Sequence, residues 1–151
     1  MSGESDLIKL YSGRILELAA DIPHAARLDE PQASVRKRSP LCGSTVTADV
    51  SLSGGRVSAF GQDVKACALG QAAASVVGSA VEGCRPEDLE RARDELREML
   101  KADGPTAHAP FEGFEVLRPA AAFKNRHASI LLSIEAAAEA ARIAQDAVQT
   151  A

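Results

Sequence analysis

Residues 45–60, TVTADVSLSGGRVSAF, leave the chain little choice of local fold. Val46, Ala48, Val50 and Leu52 alternate with Thr45, Thr47, Asp49 and Ser51, the pattern of a strand with one buried and one solvated face. Ser53-Gly54-Gly55 supplies a tight turn, and Val57 and Ala59 restart the alternation, so the stretch doubles back as an antiparallel hairpin. The apolar phase then slips to Phe60, Val64 and Ala66, which a bulge near Gly61 explains. Such a hairpin belongs to a small antiparallel sheet.

Helical periodicity flanks it on both sides. Leu7, Ile8, Tyr11, Ile15, Leu18 and Ala19 recur every three to four residues, predicting a helix from Asp6 to about Asp21 with Ser5 as cap and Pro23 as stop. Ile22 to Leu41 is polar and broken by prolines; it is read as a loop in preference to a short edge strand over Ala33 to Arg38. After Cys67 a run of small and apolar residues reaches Glu82, with Gly83 as its stop. Pro86 suits the first turn of a further helix, and Glu87 and Asp88 suit its positive end. Its apolar stripe is Leu89, Ala92, Leu96, Met99 and Leu100, and Gly104-Pro105 ends it. Thr106 to Pro119 reads as a partly buried loop, and a last helix runs from about Arg126 to Val148.

Only 3% of the residues are aromatic and none is Trp, so the core must be built from Ala, Val, Leu and Ile, with closely packed helices. At 151 residues the chain is expected to form one domain, 1–151. The net charge of -4 gives no electrostatic reason to expect nucleic acid. The short basic cluster Arg36-Lys37-Arg38 is read as a solvated strand or loop in preference to a docking patch for an acidic partner. No basic leader precedes an apolar run and no segment has the apolar length to span a bilayer, so a cytoplasmic protein without membrane association is expected. Motifs of acid-base and nucleophilic enzymes, GxSxG, HExxH and Gly-rich phosphate loops, are absent.

Three cysteines, Cys42, Cys67 and Cys84, make no disulfide framework. Cys42-Gly43 directly precedes the first strand of the hairpin, and Cys67 directly precedes a helix. A thiol at a helix N-terminus faces unpaired N–H groups and the positive end of the dipole, which favours the thiolate and makes Cys67 the best candidate for a reactive sulfur. Their spacing is no metal knuckle, so both a metal or sulfur role and a role as small buried hydrophobes remain open. Cys84, between Gly83 and Arg85-Pro86, is read as an exposed loop thiol, and His24 and His108 as surface residues without partners.

Read in order, PLCGSTVTADVSLSGGRVSAFGQDVKACALGQAAASVV resembles the iron-sulfur cluster scaffold family of IscU, SufU and the N-terminal domain of NifU. Cys42-Gly43 matches that family's Cys-Gly turn, Cys67 with Ala74-Ser75 its second cysteine and helix start, and NRHASILLSIEAA its third element. The N-terminal LIKLYSGRILELAADIPHAARLDEP is also similar, so the likeness covers nearly the whole chain. The insertion Arg85 to Leu117 resembles SufU-type members, and LRPAAAFKNRH replaces the LPPVK-like peptide that IscU offers its chaperone.

The resemblance implies an α+β fold, a small antiparallel three-stranded sheet packed against several helices, and a non-enzymatic scaffold. It implies iron or a [2Fe-2S] cluster held by Cys42, Cys67 and His127. Ser44 stands where the family has Asp and is a weak ligand, because its hydroxyl stays protonated; Ala128 stands at the third cysteine. The implied partners are a cysteine desulfurase and iron-sulfur recipient proteins, and the expected state is a monomer or weak homodimer. Two alternatives are a zinc-holding sulfurtransferase that accepts persulfide sulfur from a desulfurase, and a regulatory module that has lost the metal.

Overall fold

The structure, a computed structural model, describes residues 12–40 and 43–150, with the backbone alone for 148–150. Helix α1 spans Gly13–Ala20 and buries Ile15. The Ser12 hydroxyl caps it, accepting from the Ile15 N–H at 3.4 Å, and the part of the expected helix from Asp6 to Tyr11 lies outside the described residues. The expected cap, Ser5, lies outside the described residues.

Three antiparallel strands follow in the order β1-β2-β3: β1 Ala33–Arg38, β2 Thr45–Ser53 and β3 Arg56–Lys65. The α+β class and the three-stranded sheet are as the resemblance implied. The loop expected at Ala33 to Arg38 is instead the edge strand, Ala33 opposite Val50 and Arg38 opposite Thr45. Ala33 and Val35 alone turn into the core from it, too few apolar residues for a periodicity to stand out. The bulge is also displaced from its expected place. Leu52 pairs with Val57 and Ser51 with Ala59, so the extra residue is Ser58, whose hydroxyl donates back to the Ser51 carbonyl at 3.1 Å. Gly61 pairs in register with Asp49.

Helices α2 (Ala68–Ala80), α3 (Pro86–Ala102) and α4 (Lys124–Thr150) follow, and the sheet lies against α4. The helices approach closely because their contact faces are small. Ala72, Ala73 and Ala74 of α2 are buried, as are Ala136, Ala137, Ala138, Ala140, Ala141 and Ala144 of α4. Ion pairs lace α3 to α4 at the surface, with Arg142 on Glu90 at 2.7 Å and Arg97 on Glu135 at 3.4 Å. The expected loop before α4 contains 3₁₀ turns over Glu112–Ala122. Pro110, Gly113 and Pro119 erase any 3.6-residue period there, but Phe111, Phe114 and Leu117 recur every three, as a 3₁₀ turn requires, and all three are buried.

The segment between α1 and β1 is a strap. It crosses the edge of β3, where the Gln62 N–H donates to the His24 carbonyl at 2.9 Å, and then the sheet face opposite the helices. There it covers Asp49, whose alternation had assigned it to solvent and whose side chain is fully buried. Asp49 accepts from Arg27 Nε at 2.7 Å and Nη2 at 3.1 Å, the Leu28 N–H at 2.9 Å and the Ser34 hydroxyl at 2.5 Å.

Candidate functional site

Three elements meet where β1 returns to β2. Gly43, with φ +73, turns the chain, and the turn is closed by Gly43 N–H to Ser39 O at 3.0 Å and Ser39 N–H to Ser44 O at 2.8 Å. This sets Ser44 inward, buried. Cys67 arrives from the end of β3 as the N-cap of α2, half-buried and with no side-chain cap bond. From α4 comes Ser129. Its hydroxyl lies 3.5 Å from Cys67 Sγ and donates to Ser44 Oγ at 3.2 Å.

Ser129 has one proton, so while it donates to Ser44 the Cys67 S–H must donate to it. A Cys67 thiolate would instead draw the Ser129 proton toward sulfur. The arrangement needs Gly70, because a Cβ there would stand 2.8 Å from Ser129 Oγ. Sequence reasoning missed Ser129. Its signal is a hydroxyl, one of two with Ser133, in the apolar run that follows Ala128, where a buried polar group demands a partner.

His127 is buried and turned to a different neighbour. Its Nε2 lies 3.2 Å from the Ala120 carbonyl and 3.1 Å from that of Ala121, so the ring donates from Nε2 and is pinned to the 3₁₀ segment. This tautomer leaves Nδ1 as the nitrogen with a free lone pair. Ala128, at the family's third cysteine position, is half-buried and lines a cavity with Arg38 and Lys124. Cys42 lies outside the described residues. Of the sequence-predicted site, the structure therefore joins Cys67 to Ser44 through Ser129. Among the described residues no three His, Cys, Asp or Glu side chains converge to hold a metal ion.

Two sequence expectations are corrected. Cys84 is a buried core residue whose thiol donates to the Ala80 carbonyl at 3.2 Å, because the Gly83 turn folds it back under α2. Burial pushes its pKa up from 9.0 to about 11. His24 pairs with Glu82 at 3.1 Å, and His108 pairs with Glu95. Both partners come from elements that sequence spacing does not bring near.

The Cys84 result carries a prediction. Two pKa units leave about 100-fold less thiolate than an ordinary cysteine has, so iodoacetamide at pH 8 should modify Cys67 in the folded chain and reach Cys84 only after denaturation. Peptide mass mapping checks this; equal rates at the two residues would contradict it.

The fold and sequence are similar to those of known proteins. A nitrogen-fixing NifU-like protein (N-terminal) from Brucella abortus superposes with a TM-score of 0.90 at 39% identity, covering 93% of this chain and 98% of that one. A hypothetical protein of known crystal structure gives a TM-score of 0.79 at 22% identity, covering 88% and 97%. A protein described as an iron-sulfur cluster assembly scaffold for the SUF system of Fervidobacterium islandicum AW-1 gives 0.76 at 16%, covering 87% and 96%. The last two show the shared fold alone. No family model matches the chain, and no curated protein does.

Proposed function

The chain belongs to the NifU-like N-terminal family, and we propose that it is a scaffold or carrier for iron-sulfur cluster assembly, taking iron or a [2Fe-2S] cluster on Cys42, Cys67 and His127. The observation that carries the reading is the half-exposed Cys67 thiol at the N-terminus of α2, beside a hydroxyl able to turn its proton toward sulfur. His127 would enter the ligand set through Nδ1, since Nε2 is occupied, or through Nε2 after release from the 3₁₀ segment.

With Ala128 in place of a thiolate and Ser44 in place of a carboxylate, the set has one strong ligand fewer at each of two positions. It should hold its cargo loosely, which suits handing it on. Sulfur would come from a cysteine desulfurase as persulfide sulfur, reduced to sulfide by two electrons from a separate electron donor, and the cluster would go to recipient proteins. The protein itself would be non-enzymatic, cytoplasmic, and a monomer or weak homodimer whose second copy could complete a coordination shell.

Anaerobic reconstitution with ferrous iron and sulfide tests the reading. The wild-type chain should gain visible absorption and retained iron, and Cys67→Ala and Cys42→Ala should each retain at least about tenfold less, as expected when a ligand of a three-ligand site is lost. If neither substitution lowers retained iron, the assignment is wrong. Stoichiometric zinc in protein purified without added metal would instead favour the sulfurtransferase, and no retained metal under any condition would leave a binding module.

A further inference from the structure

A cavity of about 700 Å³ opens between the end of β1, the last turns of α3 and the start of α4. Four of its lining residues are cations, Arg38, Arg97, Lys101 and Lys124, against one carboxylate, Glu135. Arg97 is paired with Asp94 and Glu135, each at 3.4 Å. Arg38, Lys101 and Lys124 have no acidic partner among the described residues. The lining is apolar on the α4 side, where Leu131 and Leu132 are buried.

Two further observations indicate that this charge is there for a ligand. Lys124 is the first residue of α4, the positive end of the helix dipole, where a cation is unfavourable and a nearby anion relieves it. Ser39, also in the lining, is buried, and its hydroxyl has no hydrogen-bond partner among the described residues. An unpaired buried hydroxyl is uncommon, and an incoming acceptor would satisfy it.

We propose that this cavity binds a small organic anion: a carboxylate or phosphate head group met by Arg38, Lys101 and Lys124, carried on a short apolar body that lies against Leu131 and Leu132. The volume is that of a small-molecule site, with apolar walls and a few placed polar groups. A bare inorganic anion would leave the leucine wall wet, and a neutral apolar molecule would leave three cations unpaired. Its wall includes His127 and Ala128, and the next residue, Ser129, touches Cys67, so an occupant would lie beside the proposed ligand set. The cations and the leucine wall need no metal, so anion binding by the metal-free chain and iron retention are read separately, and either reading can fail without the other.

The probe is hexanoate, compared with hexanol and with inorganic phosphate at equal ionic strength, followed by amide NMR shifts of the full chain. Hexanoate should shift the amides of Arg38, Ser39 and residues 124–132 saturably, at least tenfold more tightly than either comparison compound. The double variant Lys101→Glu, Lys124→Glu should lose at least tenfold in hexanoate affinity. Both side chains are exposed, so folding should be retained; the milder Lys101→Gln, Lys124→Gln pair should show the same direction. Binding of hexanol or phosphate as tight as that of hexanoate, shifts confined to another surface, unchanged affinity in folded charge variants, or no binding would each overturn the proposal. Tighter binding of an acidic hexapeptide at the same amides would overturn the small-molecule assignment.

Discussion

Asp49→Ala is expected to destabilise the chain by about 2–4 kcal/mol at pH 7. The carboxylate is fully buried under the strap and accepts from Arg27, the Leu28 N–H and Ser34. Removing it orphans the Leu28 N–H and leaves a hole beneath the strap, while Arg27, half-exposed, returns to water. Asp49→Asn keeps an acceptor and should lose less. Burial alone would push the Asp49 pKa up, but hydrogen bonds from Arg27, Ser34 and Leu28 outweigh it and hold the carboxyl below its usual range. A depressed folded pKa means stabilisation that is present above the unfolded value of about 3.9 and is lost as pH falls through the folded value. Urea unfolding should therefore show the gap between wild type and Asp49→Asn shrinking as pH drops below about 4. A gap that stays constant from pH 7 to pH 3 would remove Asp49 as the anchor.

Gly61→Val should be comparably severe, about 3 kcal/mol or more, with failure to fold as the limiting outcome. Gly61 stands opposite Asp49 on the strap side, and a Cβ there would come within 2.3 Å of the Ala26 carbonyl oxygen and 3.1 Å of the Leu28 nitrogen. Those are backbone atoms, so the strap must lift off; no side chain can swing aside. Loss of stability should then be accompanied by faster amide exchange at Leu28 and Gln62, two amides hydrogen-bonded between strap and sheet. Normal protection at both amides in a folded variant would show that the strap had not moved.

The strap also marks where sequence reading stops. Hairpin and helices were legible because each carries its own period, and Pro86 and Gly83 place boundaries by local chemistry. Burial of Asp49 was not legible, since the residues that cover it lie about twenty positions away and alternation within β2 reports only two faces, not what lies on each. The same blindness misplaced the bulge. Gly61 looked like a break in a strand, but its missing side chain makes room for the strap, and the extra residue is Ser58, whose exposed side chain leaves no mark on an apolar pattern.

At the site, the resemblance brought Cys67 and Ser44 into view, and the structure brings them into one hydrogen-bonded chain. It did so through Ser129, one residue past the position on which motif matching concentrates. His127 was legible as a candidate, but its anchorage to the carbonyls of Ala120 and Ala121 depends on a 3₁₀ segment that sequence periodicity had left as loop. Cys84 was misjudged because a thiol after a helix-stopping glycine looks solvated until the turn is seen to tuck beneath α2.

The strap has one more consequence, for how molecules of this chain meet. A three-stranded sheet has two open margins, and an unpaired margin is a template on which a neighbouring chain can add a strand. Along β3 that margin is already occupied: the Val57 N–H donates to the Cys84 carbonyl at 2.8 Å, the Val57 carbonyl accepts from Gly83 at 2.9 Å, and the Gln62 N–H is taken by His24. Along β1, Lys37 is paired with Glu139 at 2.7 Å, which leaves the exposed Arg36 and Arg38 as the like charges that repel when two such margins are brought together. Encounters between copies are thereby steered away from strand-to-strand zippering.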